Sequence, residues 1–597
     1  MDYVKRSKES GKLKIISWAL TLIPGLISIS LFLSSCGQNT VGTGSANDGN
    51  DEIITIKKPS HNFQEGNPGF FLDDWQPKQA VIPDFIEKKK PDGAVKAFVI
   101  ADPGDEIGKI PKYVFGNNAN TYMGQMVTEP VLLDYISNLS PNIIRFPGGN
   151  LSNTYFWNAE LDTPPANAPT RFVNGDTGET YSASYWYGKN NQNWSISLDN
   201  FYNMLGQTGN TSMFTVNYSY ARYGTGEQPV QTAAKLAADW VRYDNGRTLY
   251  WEIGNENHGP WQTGYLIDTE KNRDGQPERI TGALYGEHFK VFADSMRAAA
   301  EEVNTDIKIG AQLMHFDATG SWNPVEPDWN KGYFSSAGEA ADFYIVHDYY
   351  TPYNEDSSAE TILASATPVT YDAMEWMNTT FEMFGVEKKP VAFTEWNIFA
   401  VGSNQSVSNI SGIHAAMVVG EMMKNSFGMA ARWNFANGWD NGNDHGMFNL
   451  GKAPGGVPKW NPRPEFFYLY YFQQIFGDTM IFSWEQGSGS SVISSYASKF
   501  ESGHIAIAVA NTGFNSQVLK IDFMDYTPGS RYYWYTLEGG DEALFSRQVI
   551  VNGHKPDRVA GGPSDYKKIP AFSASTDGGI EILAPGYSVS FLLIEPR

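Results

Sequence analysis

The stretch WEIGNENHGPWQTG (251–264) continues an apolar run begun by Leu249 and Tyr250, ends it on Asn255 and Glu256, and breaks the pattern with Gly259, Pro260 and Trp261. A short apolar run bounded by turn formers reads as a fully buried strand. A carboxylate closing such a strand is either solvated or the working group of a site. The rest of the chain decides between the two, by repeating the pattern and by bringing a second carboxylate to the same edge.

The pattern repeats. With LYWEIGNE (249–256), the runs KYVFGNN (112–118), NIIRFPG (142–148), MFTVNY (213–218), KIGAQL (308–313), DFYIVHDYY (342–350), PVAFTEWN (390–397) and MAARWNF (429–435) make eight. Segments with helical spacing lie between them, such as VQTAAKLAADWVRY and GEHFKVFADSMRAAAEEV. Strands that alternate with helices pair in parallel, and eight such units predict an α/β fold, a (β/α)8 TIM barrel whose active face is built from the loops after the strands. Polar residues gather late in the runs: Asn118, Arg145, Asn217, Asn255, Glu256, His347, Tyr349, Glu395, Asn397 and Asn434. Glu256 closes the fourth run and Glu395 nearly closes the seventh, so a barrel sets the two carboxylates facing each other across its axis. Glycosidic cleavage needs such a pair: one carboxyl to protonate the leaving oxygen, the other to attack the anomeric carbon or activate water.

The motifs resemble those of the clan A retaining glycoside hydrolases, and within the clan those of family 51, the alpha-L-arabinofuranosidases. WEIGNENHGPWQTG is similar to that family's acid/base segment, RFPGGN (145–150) to its second-strand signature and TEWN (394–397) to its nucleophile motif. The likeness runs over about residues 103–449. It implies Glu256 as acid/base and Glu395 as nucleophile. It also implies Asn255 on the hydroxyl next to the anomeric carbon, and Asn118, Asn150, His347, Tyr349 and Trp261 around the sugar. Arg145 either braces the nucleophile from below or makes a buried structural ion pair, and His347 sits beside the nucleophile or is a satisfied core histidine. Two departures bear on substrate. The loop FGNNANTYMG carries Asn117, Asn118 and Asn120 where the family usually has a sugar-binding glutamate, and Thr394 stands where it commonly has Asp.

Chemistry sets expectations for the pair. Glu256 must be protonated when substrate binds, so its pKa should be raised, with Trp251 and Trp261 as apolar surroundings; Glu395 must be ionised, helped by hydrogen bonds such as one from Tyr349. No cofactor and no metal is called for. WDNGNDHG (439–446) clusters Asp440, Asp444 and His445 but lacks the spacing of a calcium loop, and is expected to line the cleft after the eighth strand. Trp157, Tyr185, Trp186, Tyr187 and Trp194 are candidates for outlying sugar subsites, half of them expected to be packing. The helix AAMVVGEMMKN is expected to face the core.

The net charge of −22 argues against a nucleic-acid partner, while 17 Trp and 32 Tyr suit neutral ligands with flat apolar faces, sugars foremost. At the N-terminus Lys5, Arg6, Lys8, Lys12 and Lys14 precede an apolar stretch (15–32) and Leu33-Ser34-Ser35-Cys36. This resembles a bacterial lipoprotein signal, which makes the single cysteine, Cys36, the lipidated first residue of a mature chain anchored in the cell envelope, at the outer membrane. An uncleaved signal anchor is the alternative. The expected organisation is a signal peptide (1–36), a flexible tether and docking segment (37–93), the catalytic barrel (94–482) and an all-β sandwich (483–597), with AVKAFVIAD as a candidate extra sandwich strand. The reading is therefore a membrane-anchored retaining glycosidase acting on plant or algal carbohydrate. An endo-acting clan A glycanase and a non-catalytic glycan-binding lipoprotein are the alternatives, and the sequence leaves oligomeric state open.

Overall fold

The computed structural model describes residues 56–139, 142–402, 404–439 and 444–597. The signal, Cys36 and most of the tether lie outside them, as do Asp440 and its three followers. Lys57–Arg597 forms one compact unit.

Eight parallel strands close into a barrel: β1 (Gly116–Asn118), β2 (Ile143–Phe146), β3 (Thr211–Val216), β4 (Tyr250–Ile253), β5 (Lys308–Gln312), β6 (Phe343–Tyr349), β7 (Val391–Asn397) and β8 (Met429–Arg432), with β8 pairing β1. The first run is shorter than its pattern predicts, because Lys112–Phe115 winds into a 3-10 turn after Pro111 and leaves three residues for the strand. Each strand is followed by a helix on the outside of the barrel, from Pro130–Asn138 after β1 to Pro464–Ile475 after β8. The helix Pro229–Asp244 shows why these segments are helical: Val230, Ala233, Ala234, Ala237, Trp240 and Val241 fall on one buried face, Pro229 occupies the first turn, and Asn245 ends it in the left-handed conformation. The Met-rich helix Asn409–Lys424 is buried nearly all round, since a second layer covers its outer side: Tyr496 donates to Glu421 at 3.0 Å, and the Asn409 amide donates to Ser546 O at 2.7 Å.

That second layer is β-rich. One eleven-strand sheet curls on itself around Val99, Ile481, Ile507, Leu519, Trp534, Ile582 and Leu592. The strand Val95–Lys109, which takes in all of AVKAFVIAD except Ala94, lies in this sheet between Thr479–Gln486 and Gln517–Phe523. Strands at both sequence edges of the barrel thus belong to the second layer, and the expected boundaries at 94 and 482 fall at or within its strands.

Inside, the barrel is stratified. Its lower end is closed by an apolar layer of Phe71, Tyr113, Ile143, Met213, Tyr250 and Phe343. Phe71 comes from the segment PGFFLDDW, is fully buried, and stacks on Tyr250 at 5.0 Å between ring centroids. Above this plug the interior turns polar, and the site is built there.

Candidate active site

The middle of the barrel holds a charged layer. Arg145, at the third position of β2, is fully buried and grips Glu252 of β4 with two donors, Nε to Oε2 at 2.6 Å and Nη2 to Oε1 at 3.1 Å. Its Nη1 reaches upward to Glu395 Oε2 at 3.2 Å and its Nη2 to Asn255 Oδ1 at 2.7 Å. Arg145 therefore does both things its sequence position allowed, bracing the nucleophile candidate and forming a buried ion pair. Glu252 escaped the sequence reading. A charge in the middle of a buried run needs a partner of opposite charge, and Arg145 was the matching mid-run charge two strands away; that was the available signal.

Glu256 stands three residues beyond β4, after Gly254 in a left-handed turn, and itself adopts φ +45°. A bulky residue occupies that region at a cost of about 1–3 kcal/mol, tolerated where surrounding contacts fix it. Here its carboxylate accepts from Trp261 Nε1 at 2.7 Å and Gln262 Nε2 at 2.8 Å, and Oε1 lies 3.0 Å from Nδ1 of His347. Glu395, at the end of β7, accepts from Tyr349 Oη at 2.7 Å as well as from Arg145. A carboxylate oxygen of Glu256, one of Glu395 and a ring nitrogen of His347 all lie within 4.8 Å of one another. The three donors are close enough to meet one cation, but each already makes hydrogen bonds within the site.

These groups open into a cavity of about 830 Å3, lined on the β1, β2 and β8 side by Tyr122, Asn150 and Trp433. Asn150, Trp261, His347 and Tyr349 all line it. Asn118 does not. It is fully buried, with Nδ2 donating to Thr394 O and Ala431 O and Oδ1 accepting from Arg145, so it holds the charged layer in place. Asn255 is also buried beneath the surface; its Oδ1 is taken by Arg145 and its Nδ2 has no protein partner. Thr394 is likewise buried, and its hydroxyl meets His347 Nε2 at 2.9 Å, so this departure tunes the histidine's far side. In the loop after β1, Asn120 donates to Gly148 O, and Tyr122 Oη accepts from Asn434 and Asn437. His445 lines the cavity as its loop suggested.

Two expectations about surroundings are corrected. Trp251 turns outward, packing on Phe214 and Trp240, and Trp261 is no apolar screen but a hydrogen-bond donor to Glu256. The aromatic-rich segment 151–194 is divided: Trp157 stacks on Trp240 and Tyr185 packs against Phe172, while Trp194 is exposed against Trp186. Its hairpin, Arg171–Val173 with Thr180–Ser182, instead braces the acid/base loop, Gly175 lying so close to Pro260 that any Cβ there would fall 2.2 Å from the Pro260 carbonyl oxygen.

The charge pattern also runs opposite to expectation. Burial acts to raise the Glu256 pKa, but the hydrogen bond and charge of His347, with the Trp261 N–H, outweigh it and hold the carboxyl at about 2. Glu395 is pushed up, first by burial and then by the Glu256 charge, against the opposing charges of His347 and Arg145.

Comparison with known proteins agrees with this geometry. A family model described as "Alpha-L-arabinofuranosidase 1 domain" matches residues 135–362. An intracellular exo-alpha-(1->5)-L-arabinofuranosidase of Bifidobacterium longum is 23% identical over 295 residues, covering 45% of this chain and 44% of that protein. The Streptomyces lividans protein of the same name is 22% identical over 290 residues, covering 46% and 38%. The chain thus spans less than half the length of these relatives. Among solved structures, the family 51 alpha-L-arabinofuranosidase of Thermotoga petrophila superposes with a TM-score of 0.57 at 16% identity, over 84% of this chain and 100% of that one. The barrel, its β-rich companion layer and the matched motifs set this chain close to family 51 of the clan A glycoside hydrolases.

Proposed function

We propose that the protein is a retaining glycoside hydrolase acting on oligosaccharide or polysaccharide of plant or algal origin, with Glu395 as nucleophile and Glu256 as acid/base. The observation that carries this reading is the approach of the two carboxylates, with oxygens within 4.8 Å. Retaining enzymes hold their carboxyl groups about 5–5.5 Å apart, whereas inverting ones need roughly 6.5 Å or more to seat a water.

In the first step Glu395 attacks the anomeric carbon as the glycosidic bond breaks, and Glu256 gives its proton to the departing oxygen. In the second, Glu256 takes a proton from water, and the resulting hydroxide displaces Glu395 and releases the sugar. Arg145 and Tyr349 stabilise the Glu395 carboxylate that leaves in this step. The unpaired Nδ2 of Asn255 is a donor for the neighbouring sugar hydroxyl. Substrate also sets the proton. A sugar filling the cavity expels water and so adds to the burial that acts to raise the Glu256 pKa, towards the protonated form the first step needs.

The curated relatives' names favour an arabinofuranoside. The open cavity favours a second reading, an endo-acting glycanase. The lipoprotein-like sequence ending at Cys36 supports anchoring in the cell envelope, which incorporation of labelled fatty acid, abolished by Cys36→Ser, would test. Activity is tested on a panel of aryl glycosides and polysaccharides with product sizing. Turnover should be lost in Glu395→Ala, and an inert parent protein would refute the enzyme reading in favour of glycan binding alone.

A further inference from the structure

The cavity has a second wall, which the catalytic groups leave unused. On the β5 and β6 side, three large rings face solvent: Phe316 at 44% exposure, Trp322 at 74% and Tyr353 at 71%. Exposed apolar side chains scattered singly need no explanation, but three lining one cleft beside a reactive pair do.

Their backbones are fixed although their rings are bare. Trp322 sits between Ser321, whose hydroxyl donates to Glu326, and Asn323, which is fully buried. Asn323 Nδ2 donates to His258 O at 2.8 Å, and its Oδ1 accepts from Tyr265 Oη at 2.9 Å. Both contacts tie the Trp322 loop to the loop that carries Glu256. Tyr353 abuts Phe399, which stacks on Tyr349 with 4.1 Å between centroids. The platform is thus held in register with both carboxylates, and because its anchor is the acid/base loop it lies where the leaving group departs. Rings placed rigidly at low entropic cost are what a ligand with a flat apolar face requires.

Charge narrows the ligand. Asp176, Glu326 and Asp348 join Glu256 and Glu395 in the lining, whose basic members among the described residues are His258, His315, His347 and His445, with no Lys or Arg. His258 lies 3.6 Å from Glu326, His315 3.0 Å from Asp348 and His347 3.0 Å from Glu256, and burial lowers the His445 pKa to about 3, so an anionic unit entering here would compete with carboxylates already seated on these rings.

Resting on the glycosidase reading, we infer that Trp322, with Phe316 and Tyr353, forms a leaving-group-side subsite that stacks a neutral sugar of an oligosaccharide chain and rejects uronate or sulfated units. The substrate is then a glycan with at least one neutral sugar on the leaving-group side of the cleaved bond.

The test is binding, measured apart from turnover. Full-length Glu395→Gln protein is titrated with neutral hexasaccharides of arabinose, xylose and glucose and with hexagalacturonate, followed by tryptophan fluorescence and calorimetry. At least one neutral chain should bind and perturb the fluorescence, hexagalacturonate should bind at least about tenfold more weakly, and adding Trp322→Ala should weaken the neutral ligand about tenfold or more, near 1.4 kcal/mol. Trp322 is so exposed that its removal leaves the fold intact. Unchanged affinity in Trp322→Ala, or equal binding of hexagalacturonate, overturns the subsite. Failure of the parent to hydrolyse any glycoside while these binding results hold overturns the catalytic reading and leaves the subsite standing.

Discussion

His347 Nδ1 lies 3.0 Å from Glu256 Oε1 while His347 Nε2 lies 2.9 Å from the Thr394 hydroxyl, so one imidazole joins Glu256 to the strand that carries Glu395. A hydroxyl can either donate or accept, so Thr394 meets the ring in either tautomer and fixes its orientation towards Glu256.

His347→Gln should therefore change three things. Glu256 loses the largest influence opposing burial, keeping only the Trp261 N–H and the His258 charge against it, and its pKa rises from about 2. Glu395 loses a lowering charge larger than the raising one from Glu256, so its pKa climbs further and the acid limb of kcat/KM moves to higher pH. Stability follows the sign of the Glu256 shift. A depressed carboxyl stabilises the parent above pH 4.5 and loses that contribution as pH falls towards 2, so the gap in urea midpoint between parent and variant should shrink over that window. pH-rate profiles and urea titrations at several pH values check all three; an unmoved acid limb would contradict the linkage.

Arg145 should be the least replaceable residue beneath the site. Arg145→Ala leaves Glu252 and Glu395 buried without their cation, a loss of about 3–5 kcal/mol by the measure of broken buried ion pairs. Arg145→Lys keeps the charge but cannot span Glu252, Glu395 and Asn255 together, so kcat should fall more than KM changes. Calorimetric melting and steady-state kinetics separate the two effects.

Phe71 should matter to stability and not to chemistry. It seals the barrel's lower end against Tyr113, Tyr250 and Phe343, at the far end from the carboxylates. Phe71→Ala should cost about 3–5 kcal/mol of unfolding free energy while kcat/KM of the folded fraction stays within about twofold. Guanidinium unfolding and active-site-titrated kinetics test this.

Glu256→Ala should separate substrates by leaving group. Activated aryl glycosides need little protonation, so they should still form the glycosyl-enzyme, with added azide speeding its release as a glycosyl azide of retained configuration; unactivated oligosaccharides should lose about 100-fold or more in kcat. Equal losses for both would deny Glu256 the acid role.

The barrel and its carboxylates were legible because buried parallel strands demand continuous apolar runs, and a glutamate ending such a run stands out. Other parts were hidden for physical reasons. Glu252 lies within a run, where its neighbours Trp251 and Ile253 make the strand look uniformly apolar, and its meaning depends on Arg145 across the barrel. The direction of the Glu256 shift depends on a rotamer of His347, which strand spacing does not specify. Trp322 sits in a polar loop without periodicity, whereas the aromatics of 151–194 drew attention by number and divide between buried Trp157 and Tyr187, partly buried Tyr185 and Trp186, and exposed Trp194. The Phe71 plug was visible as an apolar island, but only its partners reveal that it closes the barrel.

Retention through a Glu395 glycosyl-enzyme is tested most directly by proton NMR of the first-formed product. A cleaved substrate should release sugar of the same anomeric configuration, before mutarotation, and Glu395→Ala should release none. First-formed product of inverted configuration would contradict the assignment of Glu395 as nucleophile even with hydrolysis established.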